Sequence, residues 1–169
     1  MSKSSIAGDP NSFAGASEHS QQVALMAACA HYAKYFRELA VSAANPVERS
    51  EAERKSLALD WLHAVPNGGT RGGDKRSAMI AGANMKAEGA KTGVSDLMLC
   101  AARHGYHGFA IEMKKPGNLK GESAEQKAYG AWLMREGYLY AVFDSWAHAL
   151  RAIMWYLGFE HCLEWALPQ

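Results

Sequence analysis

Two short apolar runs with charges set into them give the chain its clearest pattern. They are residues 94–100, around Asp96, and residues 109–114, which carry Glu112 and Lys114. Gly105 and Gly108 lie between them, so the pair predicts a β-hairpin. Pairing symmetric about a turn near His104 sets Asp96 opposite Glu112. Strand side chains alternate, so Ala110, Glu112 and Lys114 share one face, while Leu97, Leu99, Phe109, Ile111 and Met113 share the other. The second face is core. The first brings two carboxylates together, with a lysine two residues along.

Upstream, residues 1–16 are rich in Ser, Gly and Ala and are expected to form a flexible arm. Ser17 predicts the N-cap of a helix running to about residue 44, with Val23, Met26, Ala27, Ala30, Ala33 and Phe36 as its inner stripe. Asn45-Pro46 ends it. Residues 47–56 are highly charged and read as either a short exposed helix or a mobile loop. Residues 57–65 predict a strand, 66–69 a turn, 70–74 a Gly-rich loop, and 77–88 a small-residue helix ended by Gly89.

Beyond the hairpin, Ser123 and Gln126 match a capping box that opens a helix carrying Tyr129, Trp132 and Leu133. Residues 138–143 predict a buried strand, and Ser145 opens a last helix with Leu150, Ile153, Met154 and Leu157 inward. Trp132, Trp146, Trp155 and Trp165 are expected in core or interface. Residues 159–169 form an apolar tail that must pack on this chain or on a partner. The strand at 138–143 follows a crossover helix, so it is expected parallel to the second hairpin strand. The expected fold is α/β, a central mixed four-stranded sheet flanked by helices, in one domain over residues 17–158.

Composition narrows this little. A chain of 169 residues suffices for one domain with a real core. A net charge of +1 gives no global argument for nucleic acid. Locally, Arg71, Lys75, Arg76, Lys86 and Lys91 outnumber Asp74 and Glu88, and Lys115 and Lys120 follow Lys114. That is either a solvated surface or a phosphate-facing rim. Cys29, Cys100 and Cys162 are far apart and odd in number, which fits a reducing compartment better than a disulfide framework. The first residues lack the apolar stretch of a secretory signal, and no apolar run is long enough to cross a membrane. The expected location is cytoplasmic.

The charged hairpin face is where chemistry enters. Like charges directly opposite one another destabilise a sheet. A divalent cation between Asp96 and Glu112 would remove the repulsion, and an oxygen-rich site suits Mg²⁺ or Mn²⁺. The competing explanation is a solvated face with a Glu and a Lys by chance. Glu18 has an ordinary reason to sit in a first helical turn, the helix dipole, and Gln126 has its capping role. Cys100, His104 and His107 have roughly zinc-like spacing, but they straddle the turn and lack an obvious fourth ligand.

An ordered set of residues goes further. It comprises Ser17-Glu18 with Gln22, then Val65-Pro66-Asn67-Gly68-Gly69 ahead of a helix, then Gly89 and Gly93-Val94-Ser95-Asp96-Leu97. Ile111-Glu112-Met113-Lys114, Gln126 and Gly137-Tyr138 complete it. This set resembles the VRR-NUC domain family of the PD-(D/E)XK nuclease superfamily, in its compact stand-alone bacteriophage form. The resemblance covers about residues 17–158. Ser95 departs from it, since the family often has proline there, and the segment 47–56, the arm and the tail lie outside it.

The resemblance implies a restriction-endonuclease-like core. It implies Asp96 and Glu112 as metal ligands, Lys114 as catalytic lysine, Glu18 as a further acid meeting the metal directly or through water, and Gln126 as a supporting residue. It implies a Mg²⁺- or Mn²⁺-dependent endodeoxyribonuclease, with Arg71, Lys75, Arg76, Lys91, Lys115 and Lys120 toward DNA. Stand-alone relatives are associated with homodimers and with branched DNA such as four-way (Holliday) junctions, and two symmetric sites suit a substrate with two symmetric strands. A phage-encoded protein would work in the cytoplasm of its bacterial host. A non-cleaving junction-binding or assembly module and a flap or nicking endonuclease are the alternatives.

Overall fold

A computed structural model describes residues 10–12, 14–66 and 75–159. After a short 3₁₀ helix, Pro10–Ser12, the chain enters α1, Glu18–Ser42. Ser17 caps α1 reciprocally: its hydroxyl accepts from the Ser20 amide at 3.0 Å, and the Ser17 amide donates to Ser20 Oγ at 3.2 Å. This satisfies amide donors that a helix start leaves orphaned. The buried stripe of α1 runs through Leu25, Ala28, Cys29, Tyr32 and Phe36, while the expected Val23, Met26 and Ala30 are only half-buried. The helix is covered by other elements on more than one side, so its apolar face is wider than a single stripe.

The charged segment after Asn45-Pro46 is a largely exposed helix rather than a loop. It is the middle of α2, Pro46–Asp60, with Pro46 in the first turn and Asn45 Oδ1 accepting from the Val47 amide at 2.8 Å. Ala52, Ser56, Ala58 and Leu59 are buried, and Ser56 Oγ donates to the Ala33 carbonyl of α1 at 3.0 Å. Small residues on the inner side let the two helices approach closely. Arg37 locks the pair from outside, 2.6 Å from Asp60. The strand expected over 57–65 is corrected accordingly: Leu57 and Leu59 belong to the last turns of α2, and only His63–Ala64 forms a strand, β1. The turn and Gly-rich loop read at 67–74 lie outside the described residues.

Next come α3, Lys75–Ala87, then β2, Leu97–Leu99, and β3, Phe109–Met113. They are followed by α4, Ala124–Arg135, β4, Leu139–Phe143, and α5, Trp146–Tyr156. The sheet order is β1-β2-β3-β4, antiparallel at the first two pairings and parallel at the third. This is the mixed four-stranded α/β architecture expected. The hairpin register pairs Leu97 with Ile111 and Leu99 with Phe109, symmetric about His104 as predicted. β4 is half-buried along its length rather than buried.

Leu97, Leu99, Phe109, Ile111 and Met113 are fully buried against Leu25, Cys29 and Phe36 of α1 and Leu150, Ile153 and Met154 of α5. The opposite face takes α4, where Gly130 lies so close to the Tyr140 ring that a Cβ would collide with it. Gln21, 6% exposed, ties the two ends of the chain together: its Nε2 donates to the Gly15 carbonyl at 2.7 Å, and its Oε1 accepts from the Trp146 amide at 2.9 Å. Ser145 makes no side-chain cap for α5, so Gln21 of α1 supplies it. Trp146 is buried, Trp132 and Trp155 are exposed, and Trp165 lies outside the described residues. No helix among the described residues is long and apolar enough to cross a membrane.

Candidate active site

The chemistry-bearing residues converge at the end of the hairpin away from its turn. Asp96 precedes β2, and the register carries it opposite Glu112. It holds the hairpin end at two points: its Oδ2 accepts from the Met113 amide at 2.8 Å, and its backbone carbonyl accepts from the Val65 amide at 2.8 Å. Gly93, three residues earlier, has φ +80°, and a Cβ there would lie 2.5 Å from Glu125 Cβ at the start of α4. Glycine is required on both counts, and the turn delivers Asp96 close beneath α4.

Glu112 is 1% exposed and Lys114 5% exposed. That burial excludes a solvated hairpin face. Lys114 Nζ donates to Glu112 Oε1 at 2.7 Å and to Gln126 Oε1 at 3.1 Å, and lies 3.4 Å from Glu18 Oε1. Gln126 Nε2 also donates to Glu112 Oε1. Gln126 keeps its capping role at the same time, with its Oε1 accepting from the Ser123 amide at 2.8 Å. One side chain thereby fixes both the α4 N-terminus and the acid–lysine pair. Asp96, Glu112, Lys114, Gln126 and, from the first turn of α1, Glu18 are brought together.

Burial pushes the Glu112 carboxyl up to about 7; the hydrogen bond from Lys114 works against this, and the charges of Asp96 and Glu18 add to it. Burial pulls the Lys114 ammonium toward neutrality, but the hydrogen bond and charge of Glu112, then Glu18, outweigh it and hold its pKa above the usual lysine value. Glu112 Oε2 is buried with no hydrogen-bond partner. A carboxylate oxygen kept dry without a donor is costly, and it is the atom a cation would take up.

The donor set fits a hard divalent ion of the kind held by one or two carboxylates plus water and substrate. Asp96 and Glu112 would be those carboxylates. Glu18 is more than half-exposed and pairs with Lys114. No group of three acid, His or Cys side chains suited to a metal occurs among the described residues. The two histidines considered for zinc have other partners: His104 stacks on Trp155 with centroids 4.9 Å apart, and His107 packs against Tyr138.

The basic residues divide. Lys91, Lys115 and Lys120 are exposed in the segments flanking the site. Lys75 and Arg76 open α3, and Arg71 lies outside the described residues. Tyr140 escaped sequence reasoning. It pairs with Ala110 across the parallel β3–β4 ladder, so it shares the Glu112 face, and its hydroxyl donates to Glu122 Oε1 at 2.7 Å. Asp144 Oδ2 accepts from the Gly117 amide at 3.0 Å. The loop carrying Lys115 and Lys120 is thus pinned at both ends to β4 or its exit. Strand parity would have placed Tyr140 on this face, but nothing local marks Glu122 as its partner.

No family model and no curated protein matches the chain. Among solved structures, it is similar to a protein named "VRR_NUC domain protein", at 30% sequence identity over 60% of this chain and 70% of that one, with a TM-score of 0.47. Identity at that level over that share of the relative, and not the superposition, assigns the family. The chain belongs to the VRR-NUC domain family.

Proposed function

We propose that the chain is a Mg²⁺- or Mn²⁺-dependent endodeoxyribonuclease, acting on branched DNA such as four-way junctions, as a homodimer of the compact phage type. The observation that carries the reading is the buried Glu112 carboxylate. One oxygen is held by Lys114 and Gln126, and the other has no donor. When bound, a divalent cation supplies Lewis-acid chemistry: it polarises the phosphodiester and acidifies water.

The chain's own residues do the rest. Asp96 and Glu112 offer the hard oxygens. Lys114 is kept charged by Glu112 and Glu18, and it stabilises negative charge that develops on the phosphate. Gln126 and Glu18 fix the ammonium in place. Glu18 stands in the most exposed position of the set, where it would meet a bound cation through water. Lys91, Lys115 and Lys120 form a surface toward the phosphate backbone, Arg71, Lys75 and Arg76 are assigned to the same partner from the sequence, and the partner is DNA.

The test is cleavage of labelled four-way junction, flap, linear duplex and single-stranded DNA, with Mg²⁺, Mn²⁺ or chelator. Asp96→Ala and Lys114→Ala proteins run beside the wild type. Metal-dependent cutting of the junction alone, lost in both variants, is the expected result. Cutting of other forms keeps the nuclease and removes the junction role. Undiminished cutting by a folded Asp96→Ala protein would overturn the site. Sedimentation showing only monomer would remove the dimer.

A further inference from the structure

A cleft among the described residues lies away from the carboxylates. It opens at the other end of the hairpin, with a volume of about 510 Å³, between α2 and the segment after β2. Arg54, Leu57 and Trp61 line one wall, and His63, Cys100 and Arg103 the other. Its size is that of a small-ligand site, roughly 300–1,000 Å³. No acid is among its lining residues. Trp61 is 75% exposed and Leu57 56%, an unusual cost for an indole with no role in the core. Arg54 lies 3.7 Å from Glu51, and Arg103 donates one N–H to the Ala102 carbonyl at 2.8 Å. A guanidinium has five N–H donors, so both retain capacity for an anion.

An exposed indole between two arginines, in a cleft without acids, matches a base with its flanking phosphates. Paired bases keep their faces stacked inside the duplex, so a base that reaches Trp61 must be unpaired. Cys100 is four residues along the hairpin from Asp96, about 14 Å at strand rise. His63 pairs with Met98 and so shares the sheet face of Glu112. We infer that this cleft takes a nucleotide left unpaired at the branch point of the DNA substrate, its base on Trp61 and its phosphates on Arg54 and Arg103. The inference rests on the nuclease reading for its substrate.

The full chain, in chelator, is titrated with labelled oligothymidylate, a blunt duplex, and the same duplex with a single-stranded tail. Trp61→Ala is expected to weaken binding of the tailed and single-stranded probes about tenfold and to leave the blunt duplex almost unchanged, while Trp61→Phe retains most of the affinity. The Arg54→Gln/Arg103→Gln protein is expected to lower the salt slope on oligothymidylate by about 1.4, two phosphates' share. Equal affinities across variants, or no binding of any probe by the wild type, would overturn the inference. So would thymidine monophosphate competing as well as the strand. Failure of the nuclease reading shows separately, as absence of metal-dependent cutting by the wild type.

Discussion

The raised Glu112 carboxyl makes a prediction about stability that needs no substrate. In the unfolded chain this group titrates near its ordinary 4.5, and in the folded protein near about 7. Between those values the native state binds more protons than the unfolded state, so its stability falls as pH rises through the window. The rise in pKa corresponds to about 3 kcal/mol, fully lost above pH 7 and fully present below 4.5. Glu112→Gln replaces the carboxyl with a neutral isostere and removes the titration. The two proteins should therefore unfold alike near pH 4.5. Near pH 8 the variant should be the more stable by about 3 kcal/mol, roughly 6–12 °C in midpoint for a chain of this size. Lys114 stays charged throughout the window, because its own pKa is raised. Thermal unfolding of both proteins from pH 4.5 to 8.5 in chelator measures the difference. Curves that run parallel across the window would refute the assignment of Glu112 as a carboxyl held dry at a cost.

Adding Mg²⁺ or Mn²⁺ should raise the wild-type midpoint more at pH 8 than at pH 5, since a cation binds only the deprotonated site, and should leave Glu112→Gln nearly unmoved. Gln21→Ala should cost about 1–3 kcal/mol in denaturant unfolding, because it strips the cap from the Trp146 amide. Gly130→Ala should cost about 1–3 kcal/mol by forcing a Cβ into the Tyr140 ring. A Tyr140→Val change in the same chain should recover part of that loss, as a double-mutant cycle would show.

The hairpin was legible because two independent periodicities agreed. Alternation placed five apolar residues on one face, and symmetry about His104 put Asp96 and Glu112 together; both hold. The parallel placement of β4 followed from the length of its crossover. The strand read over 57–65 was misplaced for a physical reason. In α2 three of the four buried positions, Ala52, Ser56 and Ala58, have small side chains that give little hydrophobic signal, while the run Leu57, Ala58 and Leu59 reads as a strand. What makes it a helix is α1, through Ser56 and Arg37, which a local pattern does not contain. Glu18 and Gln126 each had a sufficient local explanation, and Lys114, which touches both, comes from neither helix. Tyr140 and Glu122 meet only because Gly130 leaves room for the ring.

The bond from Trp146 to Gln21 spans 125 residues of sequence. Contacts of such separation form late in folding, because the loop entropy must be met before they contribute. Gln21 also lies one turn beyond Glu18 on α1, so the same late event that seats the start of α5 orients the helix end bearing that acid. During synthesis from the N-terminus, the hairpin residues leave the ribosome well before residue 146 does. The acid–lysine cluster is therefore expected to gain its α1 member only after residue 146 has emerged, which delays the assembled site until the rest of the fold can restrain it.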